Sequence, residues 1–160
     1  MKKLLLYTSS VLFLVNCSSQ NIGLLSQNID YKQKLIKTQK AILYKDNQTK
    51  AILTATYSNS FDDINSSDER FIVTLYIDGS NTNHWDRAYH ITLNGKKPKS
   101  ITKLKSSDKL LSNISFKNEW KNYFLIRFPH TNAQQMYMIF GDNKQEIKLY
   151  FTKKAKYIYN

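Results

Sequence analysis

The stretch RFIVTLYID, residues 70–78, decides the fold. Phe71, Val73, Leu75 and Ile77 fall on one side of an extended chain, and Thr74, Tyr76 and Asp78 fall on the other. That two-residue period is the mark of a half-buried strand. β-branched and aromatic residues dominate it, and such side chains fit a pleated surface. Neighbouring runs repeat the pattern. In KAILYKDNQTKAILTATY (40–57) two strand-like runs flank the turn cluster Asp46-Asn47-Gln48. AYHITLNGKKPKSITKL (88–104) carries Asn94-Gly95, suited to the two positive φ angles of a type I′ hairpin turn. Pro98 follows, where it suits an edge strand. NYFLIRFP (122–129), QMYMIF (135–140) and EIKLYFT (146–152) complete the set, the last two facing each other across Gly141-Asp142-Asn143.

About seven or eight strands with turn signals between them predict an all-β fold: an antiparallel β-sandwich, immunoglobulin-like in plan. No sustained 3.6-residue pattern competes with it. Ser106–Leu111 (SSDKLL) alone reads as a capped helical turn. With Cys17 as the single cysteine, no internal disulfide can form, so stability must come from burial. A hydrophobic share of 41% and an aromatic share of 13% make that feasible.

The N-terminal residues speak of location. Lys2 and Lys3 precede an apolar run from Leu4 to Val15, broken by Thr8, Ser9 and Ser10. It is a secretory-signal layout, too short for the roughly 20 residues of a membrane-spanning helix. Leu14-Val15-Asn16-Cys17 resembles the lipobox of bacterial lipoproteins, with Asn16 where Gly, Ala or Ser is usual. The resemblance implies cleavage before Cys17, a diacylglyceryl thioether on its sulfur and acylation of the new amino terminus, palmitate being a typical chain. It makes the membrane a partner through the lipid on Cys17, and Ser18 after the cysteine favours the outer membrane in that family. Several acyl chains anchor a protein stably where one does not. Plain secretion is the alternative. The expected organisation is a signal peptide over 1–16, a lipidated N-terminus and tether over 17–30, and the sandwich over 31–160.

Size, lipobox, a lysine- and asparagine-rich composition and the strand rhythm together resemble small Gram-negative surface lipoproteins with an immunoglobulin-like sandwich, of Campylobacter-type bacteria. The resemblance implies surface association or adhesion rather than catalysis.

The formal charge is +12, or +10 once Lys2 and Lys3 leave with residues 1–16. Such a balance suits nucleic acid, an acidic membrane or an anionic polymer. Among the 24 basic residues, however, only Arg70, Arg87 and Arg127 are arginine. Phosphate and base readout leans on the arginine fork, so nucleic acid is not expected. Lys, Asn, Ile and Tyr also share AT-rich codons, so part of the charge is compositional bias. The acids Asp62, Asp63, Asp68, Glu69, Asp78 and Asp86 concentrate in residues 54–90, and eight lysines concentrate in residues 94–121. Taken together the two segments suggest a polarised surface, each on its own face.

No constellation of reactive residues emerges. A calcium loop starting at Asp63 would offer Asp63, Asn65 and Ser67, but Asp68 replaces the required glycine and Thr74 the closing acid. His84, His90 and His130 lack zinc-ligand spacing. No G-x-S-x-G motif is present, and with 4 glycines there is no phosphate-cradling loop. No catalytic residue, metal or cofactor is expected. Trp85, in the polar stretch SNTNHWDRAY (80–89), is either core packing or a binding residue. Trp120 is expected to cap the core, and Tyr157 and Tyr159 to form a last strand or an aromatic end. Lys96, Lys97, Lys99, Lys103 and Lys105 are the candidate binding residues for another envelope protein or an anionic polymer. The expected function is a lipid-anchored, non-enzymatic binding or adhesion module; the alternative is an accessory structural subunit of an envelope or secretion complex.

Overall fold

The computed structural model of the chain describes residues 31–59, 67–79, 82–115 and 122–153. The segments 1–16 and 17–30, and with them Cys17, lie outside the described residues, as do Asp62, Asp63, Trp120, Tyr157 and Tyr159. The chain divides into Met1–Gln33 and Lys34–Asn160. Residues 31–33 of the first unit and 34–36 of the second are helical, which the two-residue period did not anticipate.

The second unit is antiparallel β. Its strands are β1 Thr38–Lys45, β2 Gln48–Tyr57, β3 Glu69–Ile77, β4 His90–Leu93, β5 Ser100–Leu104, β6 Asn122–Phe128, β7 Gln135–Gly141 and β8 Glu146–Thr152. One sheet has the order β1-β2-β3-β6-β5 and the other β4-β7-β8. Read from β2 onward, β2-β3-β6-β5 and β4-β7-β8 reproduce the two sheets of a constant-type immunoglobulin domain, four strands over three. β1 is an addition at the edge. The sandwich expected from alternation is therefore present, with immunoglobulin connectivity.

Alternation builds the core. Phe71, Val73, Leu75 and Ile77 of β3 face Met136, Met138 and Phe140 of β7 and Leu149 and Phe151 of β8 within one buried cluster. Phe71 is at its aromatic centre, with ring centroids 5.2 Å from Tyr57, 5.8 Å from Phe128 and 5.0 Å from Phe151. These tilted and edge-on geometries are the favoured ones for aromatic pairs. β5 contributes no residue to this cluster.

Ile72 points to the opposite face of β3 and is nonetheless 1% exposed. The connection from β5 to β6 covers it. Lys109–Asn113 forms a 3₁₀ turn capped by Asp108, whose side chain accepts from the Leu110 N–H. The turn lays Leu111 on Ile72 and Tyr123 as a satellite cluster. The capped turn expected within Ser106–Leu111 is thus present, shifted toward its C-terminal end.

Asp46 and Asn47 both have positive φ, 51° and 62°, and turn β1 into β2 as expected. Asn94 and Gly95 also have positive φ, 49° and 76°. The hairpin expected there does not continue. A single bridge, Leu93 to Lys96, closes the turn, and the chain then crosses from the three-stranded sheet to β5 in the other. Pro98 has no N–H to extend the ladder, and β4 finds its partner in β7.

Side chains seal one edge of the sandwich, where β1 lies beside β8. The Gln145 amide donates to the Tyr44 carbonyl at 2.6 Å and accepts from its N–H. Lys37 Nζ donates to the carbonyls of Thr152 and Lys153 at 2.7 and 2.8 Å. Burial lowers the Lys37 ammonium pKa from its ordinary value.

Candidate functional site

Trp85 is not a surface residue. Thr82–Arg87 forms a 3₁₀ segment that carries the indole into the core, 3% exposed and edge-on to Phe124 at 5.9 Å. Of the two readings of Trp85, its burial supports core packing, and the indole has no exposed face for a ligand.

The candidate lysines divide by position. Lys96 and Lys97 sit in the crossover between the sheets, and both are exposed. Lys99 pairs with Asp68 at 2.5 Å. The acidic and basic segments therefore meet beside the start of β3, and the expectation of separate faces fails at this point. Lys103 shares a face with Phe124, its partner in the ladder, yet it is exposed because β5 is an edge strand.

Lys103 and Lys105 flank an open cleft of about 620 Å³ where β5 ends and β6 begins. Its size falls within the usual range for small-ligand sites. Leu104 and Tyr123 provide apolar surface, while Ser106, Ser107 and Asn122 add hydroxyl and amide groups. β5 and β1 are opposite edges of the five-stranded sheet. Four strand spacings separate them, about 19 Å. The cleft thus lies across the sheet from the edge at which the chain enters the sandwich. Cations, hydroxyls and an amide are chemistry for holding an anion, and no nucleophile is paired with a base among these lining residues. The sequence reading found the two lysines but not Ser106, Ser107, Asn122 or Tyr123. The run Lys103-Leu104-Lys105-Ser106-Ser107 was the available signal for the first two; Asn122 and Tyr123 arrive through pairing with β5.

The buried ionic groups have structural roles. Glu69, 1% exposed, accepts from Tyr57 Oη at 2.8 Å, the Thr131 N–H at 3.0 Å and Lys153 Nζ at 2.5 Å. His130 Nδ1 lies 3.2 Å away. Burial alone would raise the Glu69 pKa, but these hydrogen bonds outweigh it and hold the carboxyl below its ordinary value. Burial pushes the Tyr57 phenol up, helped by its bond to Glu69. Asp142 is held down to about 2, chiefly by Lys50 at 2.5 Å. The Lys144 and Gln145 N–H groups also bond to it.

A second hollow, about 40 Å³ and lined by Thr38, Thr54, Thr56, Ile72 and Thr74, has room for little more than a water molecule. Among the described residues, no three His, Cys, Asp or Glu side chains come together as a metal site, and no helix is long and apolar enough to cross a membrane. Comparison of the chain with protein-family models, with curated proteins and with solved structures finds no match.

Proposed function

We propose that the protein is a lipid-anchored envelope lipoprotein whose sandwich is a non-enzymatic binding module for an anionic envelope polymer or the acidic surface of another envelope protein. The observation that carries the reading is the cleft between Lys103 and Lys105, on the sheet edge opposite the one where the chain enters. The Leu14-Val15-Asn16-Cys17 motif supports anchorage. An accessory structural role has its own support: Ile42, Ile52 and Tyr76 stand side by side on the outer face of the large sheet, with Tyr76 47% exposed.

The test has two parts. Cys17→Ser should abolish incorporation of labelled palmitate and release the protein from membranes. Lys103→Glu with Lys105→Glu should weaken retention on heparin. A Cys17→Ser protein that stays with membranes contradicts the anchor, and unchanged retention of the lysine variant contradicts the cleft. Co-purification of a stable multi-protein complex, unaffected by the lysine changes, supports the accessory role instead.

A further inference from the structure

The outer face of the three-stranded sheet has a chemistry of its own. Met136, Met138, Phe140, Leu149 and Phe151 take the core side of β7 and β8. Alternation therefore puts Tyr137, Ile139, Lys148 and Tyr150 outside. The register sets Tyr137 directly opposite Tyr150, with Gln135 opposite Thr152 one step away. On the other side, Ile139 lies between Thr92 and Lys148, and Gly141 between His90 and Glu146. Tyr150 is 67% exposed, more than any other large apolar side chain among the described residues. Lys148 Nζ stands 4.7 Å from the centroid of the Tyr137 ring. Beyond it His90 and Glu146 meet at 2.7 Å across Gly141, where any Cβ would come within 2.8 Å of Glu146 Cγ.

This is an aromatic pair with a polar rim. A surface for a second protein copy or for lipid tails would favour a contiguous apolar patch. Here the rings are bordered by an amide, hydroxyls, an ammonium and a single aliphatic side chain, Ile139, with a His–Glu pair beyond it. A pyranose has the complementary design, with an apolar face of C–H groups and an equatorial rim of hydroxyls. Opposed residues on paired strands hold their Cβ atoms about 5 Å apart, so the two phenols can serve adjoining parts of one chain. Lys148 adds charge complementarity, because an exposed cation–π contact is weak enough to be exchanged for a carboxylate.

We infer that this face binds a saccharide chain, stacking sugar rings on Tyr150 and Tyr137 and drawing an acidic substituent to Lys148. The inference shares with the function proposed above only the class of partner, and it concerns a different surface.

The experiment is affinity electrophoresis of the full-length protein in detergent, through gels holding polygalacturonate or its methyl ester. These probes have the same rings but differ in charge. The runs are repeated at about 1 M salt, where the screening length falls to about 3 Å. Wild-type protein should be retarded even at high salt. Tyr150→Ala should weaken that retardation about tenfold, the scale of loss when a stacking aromatic is truncated, and Tyr150→Trp should retain it. Lys148→Ala should erase the preference for the acidic chain over the ester. Lys103→Glu with Lys105→Glu should leave the high-salt component intact, so failure of the cleft and failure of this face are read separately. The inference is overturned if Tyr150→Ala migrates as wild type at high salt, or if Tyr150→Trp is as weak as Tyr150→Ala. It is equally overturned if sedimentation shows a dimer that Tyr150→Ala dissolves, since the face would then bind a second copy.

Discussion

Lys153 Nζ lies 2.5 Å from Glu69 Oε1, tying the end of β8 to the start of β3 across 84 residues of sequence. The same ammonium also bonds to the Thr131 carbonyl, so one lysine gathers three segments around one buried acid. Removing the acid leaves the Tyr57 hydroxyl without its acceptor and a partly buried cation with only the Thr131 carbonyl. Glu69→Ala should therefore destabilise the protein by about 3 kcal/mol, in the range for breaking a buried ion pair. Chemical denaturation is the check. A loss no larger than for an exposed carboxylate would show that the network holds nothing together.

Trp85→Ala should cost about 3–5 kcal/mol, as for other large-to-small changes in a core. The indole fills space against Phe124 rather than facing solvent. A stable Trp85→Ala protein with impaired ligand binding would reverse this assignment.

Gly141→Ala tests a contact no side chain could tolerate. A Cβ at this position would lie 2.3 Å from the Gln145 carbonyl oxygen, a backbone atom that cannot swing aside. We expect a loss of about 2 kcal/mol or more from the forced backbone shift, read as a lowered midpoint in urea. Equal stability would mean that the β7–β8 turn is looser than its hydrogen bonds imply.

Asp142 and Glu69 make the fold acid-sensitive. Both carboxyls have pKa values below ordinary, Asp142 at about 2. A depressed carboxylate contributes its stability above the unfolded-state pKa, near 4, and loses it as pH falls through the folded value. Stability should hold from neutral pH down to about 4 and then fall toward 2. Asp142→Asn should lose about 1–2 kcal/mol relative to wild type at neutral pH, the pair being partly screened by solvent, and that difference should shrink as pH falls toward 2. If wild type and variant differ as much at pH 2 as at neutral pH, the Lys50–Asp142 pair is not the source.

How far the sequence disclosed this structure depends on the range of each interaction. Strands with one buried face, such as β7 and β8, announce themselves through alternation, and the Asp46-Asn47 turn through its residue types. Asn94-Gly95 was locally correct and globally misleading. Its backbone angles are those of a hairpin turn, but the choice of pairing partner belongs to β6 and β7, which lie far along the chain. Trp85 stood open between core packing and binding because a short 3₁₀ segment has no periodicity to show which side chains of a polar stretch are buried. The Glu69 network and the cleft unite residues from separate strands, so no window on the sequence contains them. Lys103 and Lys105 were visible only as members of a basic run, and position alone distinguishes them from Lys96 and Lys97.

That distinction permits the most direct test. Lys103→Glu/Lys105→Glu and Lys96→Glu/Lys97→Glu change net charge equally, and all four residues are exposed, so both variants should stay within about 0.5 kcal/mol of wild type. The measurement is the salt concentration at which each elutes from heparin. The cleft variant should elute at clearly lower salt than the crossover variant, which should lose only the part due to net charge. Elution of the two variants at the same salt would contradict it, because charge alone and not the cleft would then govern binding.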